Sequence, residues 1–69
     1  MVKVKGEVVL NELTKTALVS LFADTKSEVT NDVEVPDIPS GYNIEAGSSV
    51  ITAAGDFAFR KSDGTWNWV

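Results

Sequence analysis

Apolar and polar residues alternate at the start of the chain. Even positions from 2 to 10 carry valine, glycine or leucine, whereas odd positions from 3 to 7 carry lysine or glutamate. A period of two places the apolar side chains on one face of a strand, so the pattern predicts a strand over Val2–Val9. Gly6, inside this pattern, is typical of a bulge.

The next stretch, NELTKTALVSLFADTKSEV, repeats its apolar residues at helical spacing. Residues four positions apart lie on one side of a helix, and Asn11 or Thr14 is suited to cap its first turn. We therefore predict a helix at about residues 12–27. Val19 lies off the apolar stripe, either as an ordinary exposed residue or as a partner contact. The stripe consists of Leu13, Ala17, Leu18, Leu21 and Phe22.

Turn-forming residues dominate the middle of the chain. Val33–Val35 suits a short strand that Pro36 would end. Pro39-Ser40-Gly41 predicts a β-turn, because proline supplies a φ near −65° and glycine a positive φ. Three larger side chains of this segment can lie against the core as the chain crosses it: Ile38, Tyr42 and Ile44.

The segment Gly47–Val69 contains both tryptophans and two of the three phenylalanines. Alternation and β-branched residues predict three strands here, over Ser49–Ala53, Phe57–Lys61 and Trp66–Val69. Turn signals separate them, and the Asp-Gly pair before the last strand is typical of a tight hairpin. The segment therefore predicts an antiparallel meander.

The predicted fold class is α+β, with an N-terminal strand, one helix at about 12–27 and a C-terminal three-stranded antiparallel meander. We expect the helix to pack on one face of the sheet. The first strand either joins the sheet of the meander or pairs with Val33–Val35. With 69 residues, the chain forms a single small domain, 1–69.

The loop between the last two strands determines which aromatic residues meet. With Asp63-Gly64 as a two-residue loop, Phe59 lies opposite Trp68, and two phenylalanines and two tryptophans share one face. With Ser62-Asp63-Gly64 as a three-residue loop and a bulge, the tryptophans leave the phenylalanine face and look outward. We favour the shared face, because so short a chain has few other large apolar groups for its core.

Composition excludes several classes of protein. The absence of cysteine and histidine excludes disulfides and the usual thiolate or imidazole zinc sites. A net charge of −4 argues against binding to nucleic acid. No apolar run approaches the ~20 residues of a membrane span, and the N-terminus does not resemble a signal peptide. A core of this size is marginal alone, which favours self-association or docking.

No catalytic or cofactor motif is present, and without histidine or cysteine the common nucleophile–base pairs cannot be built. The five acidic residues between Asp24 and Asp37 do not have the spacing of a calcium loop, so a solvated surface is the preferred interpretation. The candidate interaction residues are Tyr42, Trp66 and Trp68. They suit either a stacking platform for sugar or peptide, or packing in the core or at a subunit interface.

The C-terminal half, PDIPSGYNIEAGSSVITAAGDFAFRKSDGTWNWV, combines a proline-glycine-tyrosine turn, a Gly-Ser strand, an aromatic strand and an S-DGTW-W ending. This combination resembles the C-terminal part of small structural proteins of tailed bacteriophages. The upstream NELTKTALVSLFADTKSEV also resembles short helical segments in such proteins. The resemblance implies a virion component, assembled in the host cytoplasm, that is capsid-associated, head-fibre-like or decoration-like and has no active site.

Two functions from different classes remain. The first is a non-enzymatic phage structural or assembly protein that docks on capsid or another virion protein, or on its own copies as a homo-oligomer, through an apolar aromatic face. The alternative is a small protein- or carbohydrate-binding module that uses Tyr42, Trp66 and Trp68. Neither function involves a metal, a cofactor, nucleic acid or a membrane.

Overall fold

The computed structural model describes the whole chain, Met1 to Val69, as eight short strands and a single 3-10 turn, Lys26–Glu28. The strands are β1 (Lys3–Val4), β2 (Val9–Asn11), β3 (Thr16–Leu18), β4 (Ser20–Ala23), β5 (Asn43–Ile44), β6 (Ser49–Thr52), β7 (Phe57–Arg60) and β8 (Trp66–Trp68). They form a five-stranded sheet of order β1-β4-β6-β7-β8 and a three-stranded sheet of order β2-β3-β5.

Both sheets are mixed. The β4–β6 and β3–β5 pairs are parallel, and all other pairs are antiparallel. Parallel neighbours cannot be joined by a tight turn. The chain therefore runs from β4 to β6 through a long connection, residues 24–48, which contributes β5 to the smaller sheet on its way.

Each face of the five-stranded sheet carries a row of side chains set by the strand register. The inner row faces the core, where Leu21, Val50 and Ala58 are at most 1% exposed. Val29 and Val35 of the long connection belong to the same core cluster. The inner row is Val4, Leu21, Val50, Ala58 and Trp68, and the outer row is Lys3, Phe22, Ile51 and Phe57.

Ser48 connects the two sheets. Only Val19 separates β3 from β4, and at this residue the chain passes from one sheet to the other. The buried Ser48 hydroxyl accepts a hydrogen bond from the Val19 N–H (3.0 Å) and donates one to the Ala17 carbonyl (3.4 Å). A side chain thus satisfies main-chain groups at the point where strand pairing changes partner.

The predicted helix at about 12–27 is wrong, and so is the α+β class that depended on it. Residues 12–15 form the turn between β2 and β3, and strands occupy most of 16–23. Burial follows a period of two, because positions 17, 19, 21 and 23 are all buried. Val19 is 4% exposed, whereas Leu13 of the predicted stripe is 97% exposed. Positions 17 and 21 misled the prediction, because a spacing of four fits one face of a helix and one face of a strand equally well.

The turn at residues 12–15 uses the residue that was expected to cap the helix. The Asn11 side-chain carbonyl accepts hydrogen bonds from the N–H groups of Leu13 (3.0 Å) and Thr14 (3.3 Å). Lys15 follows with a φ of 55° and is the only non-glycine residue with a positive φ. An asparagine before a polar segment supports a helix start and a hairpin turn by the same hydrogen bonds.

Two predicted strands also differ from the structure. The Val2–Val9 segment is divided between β1 and β2, which lie in different sheets, and Gly6 lies at the bend between them with a φ of 94°. Gly6 therefore marks a break rather than a bulge. Val33–Val35 forms no strand, so the first strand does not pair with it. β1 pairs with β4 and thereby belongs to the sheet of the meander, which is the other arrangement predicted for it.

The C-terminal meander is confirmed, since β6, β7 and β8 pair antiparallel in chain order. The favoured register of its last hairpin is wrong. Arg60 lies opposite Trp66, and Ala58 lies opposite Trp68. The tryptophans thus leave the phenylalanine face, but they point inward, and the phenylalanines point outward.

The loop and the core explain this register. The Gly64 N–H donates to the Lys61 carbonyl, and the Lys61 N–H donates to the Thr65 carbonyl, which closes a three-residue loop with Gly64 at a φ of 85°. On its inward side β7 offers only Ala58 and a partly buried arginine. Large indole rings from β8 fill the space that such a strand leaves.

Candidate functional site

Trp66 is a supporting residue of the core. It is 9% exposed, and its indole N–H donates a 3.0 Å hydrogen bond to the Thr30 carbonyl. The Arg60 guanidinium lies over its ring, 5.1 Å from the ring centre. Both the N–H and the ring of Trp66 are therefore engaged within the chain.

Tyr42 and Trp68 are half-buried, and each carries a lysine over its ring. The Lys15 ammonium is 5.2 Å from the centre of the Tyr42 ring, and the Lys26 ammonium is 4.8 Å from the centre of the Trp68 ring. Trp68 lies in the inner row of the sheet, whereas Tyr42 lies on the long connection. Since Trp66 is buried as well, the three predicted interaction residues form no common exposed platform.

The uncovered aromatic surface is on the other side of the sheet. We call it the aromatic outer face, and it consists of Phe22, Ile51, Phe57 and Phe59. Phe22, Ile51 and Phe57 lie directly opposite one another on three adjacent strands. Ile51 is 37%, Phe57 42% and Phe59 40% exposed. The Lys3 ammonium lies over the ring of the half-buried Phe22, 5.9 Å from the ring centre. Ile51, Phe57 and Phe59 are therefore the part of this face that is open to a partner.

The two edges of the five-stranded sheet differ. At one edge β1 pairs over only two residues and carries Lys3, with Lys5 directly after it. A short, lysine-flanked edge disfavours pairing with another chain. At the other edge β8 has no neighbouring strand, and Trp66–Val69 contains neither a charged side chain nor proline.

The main-chain groups of β8 alternate in direction. Val69 and Thr65 make hydrogen bonds to β7 and the residue after it. Because bonded pairs recur at every second residue of an antiparallel ladder, the N–H and C=O groups of Trp66 and Trp68 point to the free edge. This edge is chemically suited to accept one more strand.

An open cleft of about 710 Å³ lies between the long connection and β7. The acidic side chains of Asp32 and Glu34 lie among its lining residues, and Arg60 is the only residue that the five-stranded sheet contributes. A volume of several hundred Å³ suits a small ligand or a short peptide segment. The apolar part of the lining consists of Val33, Val35, Pro36, Ile38, Pro39, Tyr42 and Ile44.

Arg60 is an unpaired cation in this cleft. Its Nε and Nη1 atoms are buried and make no hydrogen bond within the chain. None of the ion pairs of the chain involves Arg60. Burial lowers the pKa of the Arg60 guanidinium, and the negative charge of Asp63 partly opposes this effect. Since an arginine remains protonated at any physiological pH, the cleft contains a partly desolvated positive charge without a partner.

Other classes of site find less support. No group of three or more acidic residues is placed to hold a metal ion. The one helical element spans three residues, and no helix has the length and apolar character to cross a bilayer.

No model of a known protein family, no curated protein and no solved structure matches this chain.

Sequence reasoning missed the outward phenylalanines and Arg60. The alternation of β7 separates Phe57 and Phe59 from Ala58 and Arg60, but it does not show which of the two pairs faces the core. No comparable signal identifies Arg60 as part of a cleft, because the opposite wall comes from the distant long connection.

Proposed function

We propose that this chain is a non-enzymatic structural or assembly protein of a bacteriophage particle, and that it docks on copies of itself through the aromatic outer face. The observation that carries this proposal is the line of Phe22, Ile51 and Phe57 across three strands, with Phe59 beside it, in which all but the half-buried Phe22 are exposed. Exposed contiguous apolar surface of this kind marks interaction sites in small proteins.

The area of the face indicates how copies engage it. Five strands about 4.8 Å apart and roughly four residues long give a face of roughly 300 Å². A stable pair needs about 800 Å² from each partner. The face alone is smaller than this, so face-to-face packing of two copies about a two-fold axis forms a weak pair. Pairing of two β8 strands at their free edges lies in the plane of the sheet and leaves the outer faces uncovered, so it is a separate contact between copies.

The placement in a phage particle rests on the resemblance of Pro36–Val69 to small virion proteins. A capsid or another virion protein is then the surface on which the assembled copies lie. Mass spectrometry of purified particles from the host that carries the gene tests this placement directly.

Sedimentation equilibrium at micromolar concentration tests the self-association. We expect wild-type chains to associate, and the double variant Phe57→Thr/Phe59→Thr to sediment as a monomer. Leu13→Thr is the matched control, because Leu13 is 97% exposed but lies in the turn away from this face. Asn67→Lys, which adds a charge beside the β8 edge, should also weaken association. A wild-type chain that stays monomeric, or a double variant that associates as well as wild type, contradicts the proposal.

The alternative function, a protein- or carbohydrate-binding module, finds a different basis from the predicted platform. Of Tyr42, Trp66 and Trp68, only Tyr42 lines the open cleft. Trp66 contacts the cleft residue Arg60 through its ring. A binding function would therefore use the cleft rather than stacked tryptophans.

A further inference from the structure

The cleft beside β7 presents a feature that the assembly function does not use. The buried Nε and Nη1 atoms of Arg60 lack acceptors, although a buried donor without a partner costs roughly 1–3 kcal/mol. Groups of this kind in folded proteins have a partner in an ion, a water molecule or a ligand. The chain therefore supplies no acceptor for these two donors, and the guanidinium that carries them lines the cleft.

The arginine is held in place before any ligand arrives. Its guanidinium lies on the Trp66 ring, and the indole N–H is fixed by the Thr30 carbonyl. Thr30 directly precedes the segment that forms the wall of the cleft. The Trp66 indole thus connects Arg60 to the segment that forms the wall of the cleft. Because the Arg60 side chain is already ordered, a ligand does not have to order it on binding.

The charges around the cleft select the kind of acceptor. Asp32 and Glu34 also line it, and the chain carries a net charge of −4. A multiply charged anion such as phosphate is repelled by these carboxylates. A single carboxylate balances Arg60 and adds little repulsion, and planar carboxylates match the donor geometry of a guanidinium.

The other residues that line the cleft indicate the kind of molecule that carries the carboxylate. Valine, proline, isoleucine and tyrosine make up seven of the fourteen residues that line the cleft. We propose that this cleft binds a single carboxylate carried on an apolar body, with Arg60 as the residue that receives the carboxylate. Two sources share this chemistry: the C-terminus of a peptide with an apolar last residue, and a small apolar carboxylic acid.

The test is an NMR titration of the full ¹⁵N-labelled chain. Arg60 is the only arginine, so its Nε–H gives a unique signal. Hexanoate should shift this signal and the amide signals of residues 31–44 saturably. It should bind about tenfold or more tightly than acetate, because its additional methylene groups are buried. Inorganic phosphate should bind more weakly than hexanoate, and hexanol should leave the Arg60 signal unchanged.

Variants separate the cleft from general charge effects. Arg60→Met keeps an apolar stem over Trp66 and should abolish hexanoate binding, with folding verified from its amide spectrum. Lys61→Met removes the neighbouring exposed cation and should leave binding unchanged. A hexapeptide ending in leucine identifies the source, with its C-terminal amide as the control that lacks the carboxylate. If the hexapeptide with a free C-terminus binds more tightly than hexanoate, the ligand is a peptide. If it binds more weakly than hexanoate, the ligand is a small acid. The proposal is overturned by an Arg60 signal that no carboxylate moves, which would indicate water as its partner, or by phosphate or acetate binding as tightly as hexanoate.

Discussion

Arg60 and Trp66 lie directly opposite each other on β7 and β8, and the guanidinium carbon is 5.1 Å from the centre of the indole ring. The pairing of these two residues determines which side chains of β7 face the cleft and which face outward. It places Arg60 at the cleft, and by alternation it turns the adjacent Phe59 to the outer face. A hairpin loop shorter by one residue would exchange the two faces of β8 and separate this pair.

Replacing an inward and an outward aromatic residue should therefore have unequal effects on stability. Trp66→Ala should lower the free energy of unfolding by roughly 3–5 kcal/mol, because a buried indole and its hydrogen bond to Thr30 are lost. Phe57→Ala should cost much less, since Phe57 is 42% exposed. Urea denaturation followed by circular dichroism measures both values. Equal losses would mean that a partner or a different register buries Phe57.

The strand assignment of residues 16–23 leads to a second comparison. Leu21→Ala should lower the free energy of unfolding by roughly 2–5 kcal/mol, because Leu21 is 1% exposed in the inner row. Leu13→Ala should have almost no effect, since Leu13 is exposed in a turn. The helical alternative places both on one buried stripe, so a large loss for Leu13→Ala in thermal denaturation would contradict the strands.

These two leucines show why the N-terminal half could not be predicted. The short apolar run from 16 to 23 fits a strand as well as a helix, and Leu13 with the acidic and lysine residues around it completed a helical pattern over a longer window. The choice between them depends on long-range pairing: β4 lies between β1 and β6, and β6 begins 26 residues after β4 ends, at position 49 against position 23. A pattern within one segment does not contain that information.

The C-terminal half was predictable as far as its information is local. β-Branched residues located β6, alternation located β7 and β8, and the Asp-Gly turn located the last hairpin. The register was not predictable, because it depends on whether Ser62 belongs to the loop or the strand. The cleft could not be predicted from local sequence either, because Arg60 and Tyr42 come together only through the path of the long connection.

The link between the sheets leads to a third prediction, at Ser48. Ser48→Ala should lower the free energy of unfolding by about 1–3 kcal/mol, because the buried Val19 N–H loses its acceptor. Ser20→Ala is the matched control on an exposed residue of β4 and should change stability by less than about 0.5 kcal/mol. Urea denaturation compares the two, and a loss for Ser20→Ala as large as that for Ser48→Ala would remove the special role of this hydroxyl.

A fourth prediction concerns the loop that sets the register. Gly64 adopts a φ of 85°, which residues with a Cβ rarely tolerate. Gly64→Ala should therefore destabilise the fold by about 1 kcal/mol or more. Gly64→Asn should cost less, because asparagine visits this region more readily. If thermal denaturation ranks asparagine below alanine, the positive φ is not the cause of the loss.

The same loop should give a measurable pH dependence through Asp63. Its carboxylate accepts a hydrogen bond from the Thr65 hydroxyl (2.6 Å) and one from the Thr65 N–H (3.1 Å). These bonds, the hydroxyl first, lower the pKa of Asp63 below its ordinary value of 3.8. A carboxyl with a lowered pKa in the folded state stabilises the fold above its unfolded pKa, and this stabilisation is lost as the pH falls through the folded pKa.

Carboxyl ¹³C NMR across an acid titration measures this pKa directly. Thr65→Val removes the hydroxyl but retains the N–H, so we expect the pKa of Asp63 to rise towards its ordinary value. Thr25→Val, which removes an exposed hydroxyl outside the loop, should leave it unchanged. Asp63→Asn should be less stable than wild type near neutral pH, and the difference should shrink below about pH 4 as wild-type Asp63 takes up its proton. An unchanged pKa in Thr65→Val would show that the hydroxyl does not hold the carboxylate, and that the hairpin loop is closed by its main-chain hydrogen bonds alone.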